Sequence, residues 1–351
     1  MYVIEARNVH EALPLAIEYL RTTGVKRDSR NGPVLLSPVP VTTVYTHPCE
    51  RVIFWPQRDA NPFFHLYESL WMLSGSNLVA PLARYAKNIL NYSDDGITQH
   101  AAYGYRWRKT FSVHNAHGTE TDQLAPIARR LRENPEDRRC VLQMWDAALD
   151  LDKTGADFPC NLTATFQRDK DGRLDLAVFC RSNDIIWGCY GANAVHFSVL
   201  QEYMANWIGC PVGTYSQISI NWHAYQNEVW EQVQDIPTFF RQHAPYEGIN
   251  GSAFHVPMTK PSMQADHDIE TLLKDADEGF VNTEGWSSHD AWGDMVYLVL
   301  KAHHVYKTLG KDEKRFGAVL DILNHGDQEA DWIVASREWV LRREKAWAKK
   351  A

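Results

Sequence analysis

An α/β (α+β) protein is predicted by three features of this sequence. Two β-rich runs, Leu162–Arg168 and Leu174–Cys180, flank Asp169-Lys-Asp-Gly172, which is a hairpin signal. Residues 213–225 alternate as one long strand, with Ile218, Ile220 and Trp222 to one side and Gln217, Ser219, Asn221, His223 and Tyr225 to the other. Between them, Asn193–Gly209 has helical spacing, with Val195, Val199, Tyr203 and Trp207 on one stripe.

Taken in order, residues 8–24 form a helix with Asn8 as N-cap and Gly24 as its stop. Lys26–Gly32 reads as a polar, glycine-ended loop that carries Arg27 and Arg30 at a turn, and the Pro-punctuated, β-branched residues 33–56 read as short strands. Residues 62–75 make a strongly apolar helix with Glu68 at its centre, where a carboxylate is costly unless it is hydrogen-bonded or catalytic. A helix over 78–98 turns at Ser93–Gly96, and Ala101–Arg108 mixes aromatics with arginines. After a helix at 121–133, Arg138 and Arg139 open a strand that runs to Trp145. Asn193 sits where an N-cap belongs. Residues 235–285 read as loop-rich with no clear pattern, and three helices follow at about 289–308, 312–324 and 328–349.

The chain has 351 residues, a net charge of −8 and 13 tryptophans. That charge excludes a general basic surface for nucleic acid, so an anionic ligand needs a local arginine cluster. The six cysteines form no CxxC pair, there is no signal-peptide pattern, and no run is long and apolar enough to span a bilayer. A cytoplasmic protein with reduced thiols, away from membranes, is expected. Neither His303-His304 nor His289 belongs to a metal-binding pattern, so no metal site is expected.

The hairpin carries the chemistry. Cys160 lies just before its first strand, and Arg181 and Ser182 just past its second, so the thiol and Arg181 meet at one edge. A positive charge there favours the thiolate nucleophile. Arg30, Arg138, Arg139 and Arg181 with Ser182 suit one phosphate. Asn193, His223 and Tyr225 suit a base and sugar, while Glu68 moves protons. No Walker A or GxGxxG loop is present. The constellation points to a cysteine-dependent enzyme acting on a nucleoside monophosphate.

The collinear series Glu68–Gly75, Tyr103–Arg108, Arg138-Arg139, Pro159-Cys160, Arg181–Asp184 with Gly188, Asn193, and His223-Ala-Tyr225 resembles the thymidylate synthase and pyrimidine-nucleotide hydroxymethylase superfamily. The resemblance implies a large mixed sheet packed with helices and a homodimer through that sheet, with Arg138 and Arg139 completing the partner's phosphate site. It implies a catalytic domain over 1–285, a helical extension over 286–351, and 5,10-methylenetetrahydrofolate as the one-carbon donor. Cys160 would add to C6 of the pyrimidine. Glu68 would assist proton transfers through ordered water, and Tyr103 and Asn161 would complete the catalytic group. Arg30, Arg181 and Ser182 would hold phosphate, with Asp184, Gly188 and Asn221 on the folate side.

Three departures from ordinary thymidylate synthases bear on the product. Asn161 replaces the usual His after the cysteine, no tryptophan stands near Ile89-Leu90, and a helical extension replaces the short apolar tail that closes over folate. Weaker hydride delivery and admitted water favour hydroxymethylation of dUMP, with methylation as the alternative and dCMP as the next. Asn193 favours uracil over cytosine, although Cys189–Ala192 is one residue longer than usual and Ala192 competes for the place. Ser182 favours a deoxynucleotide. Such products belong to modified phage DNA or to nucleoside antibiotics. A silent nucleotide- or RNA-binding protein on the same fold, and docking of another protein on the C-terminal helices, are the competing readings.

Overall fold

The computed structural model describes residues 1–114, 120–238, 245–247, 253–260, 262–281 and 290–349. The boundary at 285/286 and His289 lie outside the described residues. The strands are β1 (Tyr2–Ala6), β2 (Val25–Ser29), β3 (Gly32–Leu36), β4 (Val41–Tyr45), β5 (Val113–His114), β6 (Glu120–Thr121), β7 (Val141–Gln143), β8 (Asn161–Arg168), β9 (Leu174–Asp184) and β10 (Val212–Tyr225). The first half of the chain contributes helices α1 (Val9–Thr23), α2 (Pro62–Leu73), α3 (Val79–Ala83), α4 (Tyr103–Tyr105), α5 (Leu124–Glu133) and α6 (Ala147–Asp150). The second half contributes α7 (Asn193–Ile208), α8 (Glu228–Val233), α9 (Ser262–Glu278), α10 (Ala291–Thr308), α11 (Lys314–Leu323) and α12 (Asp331–Ala348).

The main sheet is mixed and runs β1-β4-β10-β9-β8-β7, with β3 also on β10 and β2 on β3. β10 pairs parallel with β9 and antiparallel with β4, and β8 and β9 form the expected antiparallel hairpin. One face is covered by helices, and α7 packs across β9 and β10. The opposite face carries Val141, Phe179 and Ile220, which are 48%, 44% and 50% exposed. Their registers put them on one side, since Val141 faces Thr165, which faces Ala177, and Phe179 faces Ile218.

Several local expectations change. Lys26–Gly32 is not a plain loop: Val25–Ser29 is a strand on β3, and because all five residues are exposed it has no alternating signature. No continuous helix spans 78–98; α3 is followed by a tight turn at Lys87–Tyr92 that buries no side chain. Residues 235–285 are not all loop, because α9 buries Ala265, Ile269, Leu272 and Ala276 at helical spacing within a highly charged run. α7 is not amphipathic but buried on nearly every side, including His196, Ser198, Gln201 and Glu202, because it lies between the sheet and helices α2, α5 and α9. In β10 the alternation slips: Ile220 and Asn221 are both exposed, while Trp222, His223 and Ala224 are all buried. The capped helix α1, the helix around Glu68 and the three C-terminal helices stand as expected.

The C-terminal helices bear directly on α2, which contacts α7, α9, α10 and α12. Phe63 packs edge-on to Trp339, and Tyr67, Tyr85 and His303 stack in series. A buried ion cluster ties the same region down. Arg51 donates to Glu202 at 2.6 Å, His255 Nε2 lies 2.8 Å from the other oxygen, and the Met258 N–H donates to it at 2.9 Å. Cys49 joins Glu202 and His255 as the one set of metal-type ligand atoms found close together among the described residues. Arg51 already supplies a cation to that carboxylate. Burial pushes Glu202 up and His255 down, but Arg51 and His255 hold Glu202 at about 2, and Glu202 lifts His255 to about 10.

A base whose folded pKa is raised stabilises fully below its unfolded value and loses that contribution as pH rises through the folded one. His255 therefore stabilises below about pH 6.5, and its contribution fades as pH rises towards 10. Urea unfolding of the wild type and His255→Asn at pH 6, 8 and 10 should show the gap between them narrowing as pH rises. Parallel curves would contradict the assignment.

Candidate active site

The hairpin edge forms as its sequence requires. The Arg181 N–H donates to the Cys160 carbonyl at 2.9 Å, and Arg181 Nε donates to the Pro159 carbonyl at 2.9 Å. Arg181 and Ser182 belong to the end of β9 itself rather than lying past it. The thiol's peptide is held from the other side by Tyr103, whose hydroxyl accepts from the N–H groups of Cys160 (2.9 Å) and Asn161 (3.1 Å). Tyr103 is in turn placed by its neighbours. Gly104 lets the backbone meet α2 where a Cβ would stand 1.8 Å from the Met72 carbonyl oxygen, and buried Arg106 makes a two-pronged ion pair with Asp150 at 2.6 and 2.7 Å.

Burial raises the Cys160 thiol above the ordinary range, with Asp157 adding to the effect, and Arg181 and Arg30 pull it down without winning. Arg181 alone therefore does not make a resting thiolate, contrary to the expectation from the hairpin edge. An anionic substrate and the field around it would meet a mostly protonated thiol.

A cavity of about 570 Å³ opens beside Phe158 and Arg181, the neighbours of Cys160, while Cys160, Glu68 and Asn193 are not among the residues that line it. Its cations are Arg27, Arg30 and Arg181, and its polar wall is Ser182, Asn221, His223 and Tyr225. Arg27, which the sequence places at the same turn as Arg30 but outside the expected phosphate cluster, is brought in by strand β2. The expected polar face of β10 is split. Asn221, His223 and Tyr225 reach the cavity, whereas Gln217 and Ser219 are wholly buried in the core. Arg138 and Arg139 are exposed and do not line this cavity, and Arg139 is held by Asp137 at 2.7 Å. They sit just before β7, at the sheet's far edge.

Asn193 does not act as a helix cap. It is already helical, and its side chain is buried in a chain of amides. Asn161 Nδ2 donates to Asn193 Oδ1 at 3.1 Å, Asn193 Nδ2 donates to Asn183 Oδ1 at 3.1 Å, and Asn183 Nδ2 donates to Ser219 Oγ at 3.0 Å. Non-helical backbone at Tyr190 and Gly191 leads into α7, and Asn193 is buried where Ala192 is only partly so. Gly188 is required here, because a Cβ would stand 2.6 Å from Asn183 Oδ1. Asn183 lies within the quoted Arg181–Asp184 motif, yet no sequence signal marks it as the middle of this chain.

Glu68 is buried on α2 as expected. Its neighbour was not foreseen. His196 Nε2, from α7, lies 3.0 Å from Glu68 Oε2, and neither atom has a hydrogen-bond partner. His196 follows Asn193 by one helical turn, which is the only signal the sequence offered. His65, also on α2, is held neutral near a pKa of about 3 by burial, then by Arg58 and His196. Asp184 caps the wide turn Ile185–Ala192 by accepting from the N–H groups of Ile186 (3.0 Å) and Trp187 (2.6 Å), and burial raises its pKa. Trp187, 51% exposed, rests on the buried Arg58 guanidinium at 4.5 Å. It provides an open aromatic ring where Ile89 and Leu90 provide none.

Comparison with known proteins agrees with this arrangement. The thymidylate synthase family model matches residues 18–246. The chain is 45% identical to the deoxyuridylate hydroxymethyltransferase of Pseudomonas phage M6, over 100% of this chain and 97% of that protein. It is 36% identical to the deoxyuridylate hydroxymethyltransferase of Bacillus phage SP01 over 56% of this chain and 52% of that one. It is also 32% identical to a protein of Methanosarcina barkeri described as a putative thymidylate synthase, over 44% of this chain and 65% of that one. With the mixed sheet, the cysteine at the hairpin edge and this full-length likeness, the chain belongs to the thymidylate synthase family.

Proposed function

We propose that this chain is a one-carbon transferase that hydroxymethylates dUMP at C5. The observation that carries the reading is the likeness to the phage M6 enzyme, which runs through the whole chain including its C-terminal helices. The site supplies matching chemistry. Arg30, Arg181 and Ser182, joined by Arg27, hold the phosphate through charge-assisted bonds. His223 and Tyr225 face the sugar.

Asn193 reads the base. With its oxygen accepting from Asn161 and its nitrogen donating to Asn183, it keeps one acceptor and one donor free. Those complement the N3–H and O4 of uracil. Cytosine presents the reverse pattern, and accepting it requires the three amides to turn together.

Folate fits the cofactor side on what the chain offers there: the open Trp187 ring, exposed Asn221, and Asp184, two of whose N–H donors come from the turn that bears Trp187 and Gly188. When bound, 5,10-methylenetetrahydrofolate supplies the one-carbon unit. Cys160 Sγ adds to C6 of the base, which makes C5 nucleophilic, and Glu68 handles the protons through water. In the last stage water's oxygen bonds the exocyclic carbon and its proton passes to Glu68. The displaced electron pair moves to O4, and its return expels the Cys160 thiolate and restores the C5–C6 double bond.

A homodimer through the sheet is supported by the exposed apolar residues Val141, Phe179 and Ile220 on the helix-free face. In it, Arg138 and Arg139 would complete the partner's phosphate site. No helix among the described residues is long and apolar enough to cross a membrane. Given the phage relatives, we place the enzyme in the host cytoplasm, supplying modified nucleotide for phage DNA.

Mass spectrometry of the product from dUMP and methylenetetrahydrofolate should give hydroxymethyl-dUMP without the near-ultraviolet rise of dihydrofolate; that rise would instead show methylation. Cys160→Ala should lower turnover by at least about 10³-fold. Asn193→Asp should lower kcat/KM for dUMP by roughly 10–100-fold and raise it for dCMP. Unchanged preference in parallel assays of the two nucleotides would remove Asn193 from base recognition.

A further inference from the structure

Buried polar atoms in a folded protein are almost always hydrogen-bonded, and a site where several are not is a place for ordered water. Glu68 Oε2 and His196 Nε2 are both buried, lie 3.0 Å apart and lack a hydrogen-bond partner. Their approach is close but misaligned, so one water touching both satisfies two orphans at once. Asn161 Oδ1 is a third buried atom without a partner. It belongs to the same neighbourhood, because Asn161 bonds to Asn193, and Asn193 and His196 are one turn apart on α7 and so face the same side. The amide chain thus lies at one turn of α7 and the carboxylate at the next, with His196 joining them. The residue after the catalytic cysteine, where this chain has Asn161, is also where it parts from ordinary thymidylate synthases.

We infer that His196 is a positioning residue, fixing the Glu68 carboxylate and sharing with it the water that becomes the hydroxyl of the product. This rests on the hydroxymethylation reading above. His196 Nε2 orients the water, whose oxygen forms the new bond to the exocyclic carbon while Glu68 takes the proton. Proton loss from C5 comes before this step and draws on Glu68 without consuming the water as nucleophile, so losing His196 should divert the methylene intermediate more strongly than it slows its formation. A histidine that merely packed beside Glu68 would affect folding or all steps alike.

The test uses the full chain with C5-tritiated dUMP and methylenetetrahydrofolate, in the presence of 2-mercaptoethanol, a nucleophile that adds to an exocyclic methylene in place of water. In His196→Leu, tritium release should stay within about threefold of wild type, while hydroxymethyl product falls roughly 10–100-fold and thiol adduct rises correspondingly. His196→Gln, which returns a polar atom to the same reach, should restore the ratio of product to adduct most of the way. Tritium release and product falling by one common factor, or an unchanged ratio in a variant that binds dUMP normally, would overturn the inference. Should His196→Leu fail to fold, His196→Ala takes its place: a shift towards adduct of roughly tenfold or more supports the role, and a wild-type ratio ends it. A wild-type enzyme that turns over dUMP while both variants keep its ratio defeats only this inference. A wild-type enzyme that releases no tritium defeats the reading beneath it as well.

Discussion

The parallel pairing of β9 with β10 sets where every side chain of the site stands. It puts Ser182 opposite Asn221, Asn183 opposite Trp222 and Asp184 opposite His223. The antiparallel partner β8 then brings Asn161 opposite Cys180, one residue from Cys160 and Arg181. The alternation breaks between Cys180 and Asn183, as it does in β10, and that break turns Asn183 inward to reach Ser219 at 3.0 Å, the base of the amide chain. The register is secured by burial on the helix-covered face, where Leu174, Leu176, Val178 and Cys180 are all essentially inaccessible. The cavity is therefore a consequence of core packing, and Arg181, Ser182, Asn221, His223 and Tyr225 on its wall occupy the ends of strands whose middles are locked.

The choice of groups in the site follows from the cost of burying charge. Three asparagines and a serine form the innermost polar layer, and none of them is ionised. Amides carry direction, a donor at one end and an acceptor at the other, at a far smaller desolvation cost than carboxylates or ammonium groups. The charges sit outside this layer, with the arginines lining an open cavity and Glu68 on a helix approaching from the opposite side. The nucleophile is likewise kept neutral at rest, since burial outweighs Arg181 and Arg30 at Cys160. A protonated thiol suits an enzyme whose nucleophile is needed only once a base lies over it.

Much of this was legible in the sequence, and the failures have common causes. The hairpin gave the thiol and Arg181 as neighbours because turn chemistry and strand alternation are local signals. Glu68 stood out as a charge within an apolar helix, and its burial bears that out. Local signals were insufficient where long-range packing decides. The even spread of burial around α7 hid His196, since a helix covered on every side shows no polar face to contrast with its core. Asn193 looked like a cap because Asn at a helix start usually is one; only its contacts with Asn161 and Asn183, 32 and 10 residues away in sequence, reveal otherwise. β2 was missed because an exposed edge strand has no inside to alternate with, and α9 because its four buried apolar residues are diluted by charge.

The C-terminal helices can be placed in the same physical terms. α10 and α12 press on α2, and so hold Glu68 from behind through Phe63, Tyr67, His303 and Trp339. Near the end of α12, Arg342 and Arg343 both grip Asp59. The next residue, Arg58, donates to the Ile186 carbonyl and supports the Trp187 ring. α10 and α12 thus act on the back of α2, the helix that bears Glu68, and α12 reaches the turn that bears Trp187 through Asp59 and Arg58. This bracing takes nothing from the cavity, whose lining comes from other segments of the chain. On the reading proposed above, in which the reaction ends with water bonding to carbon, a carboxylate held rigid from behind suits a cavity that water can enter.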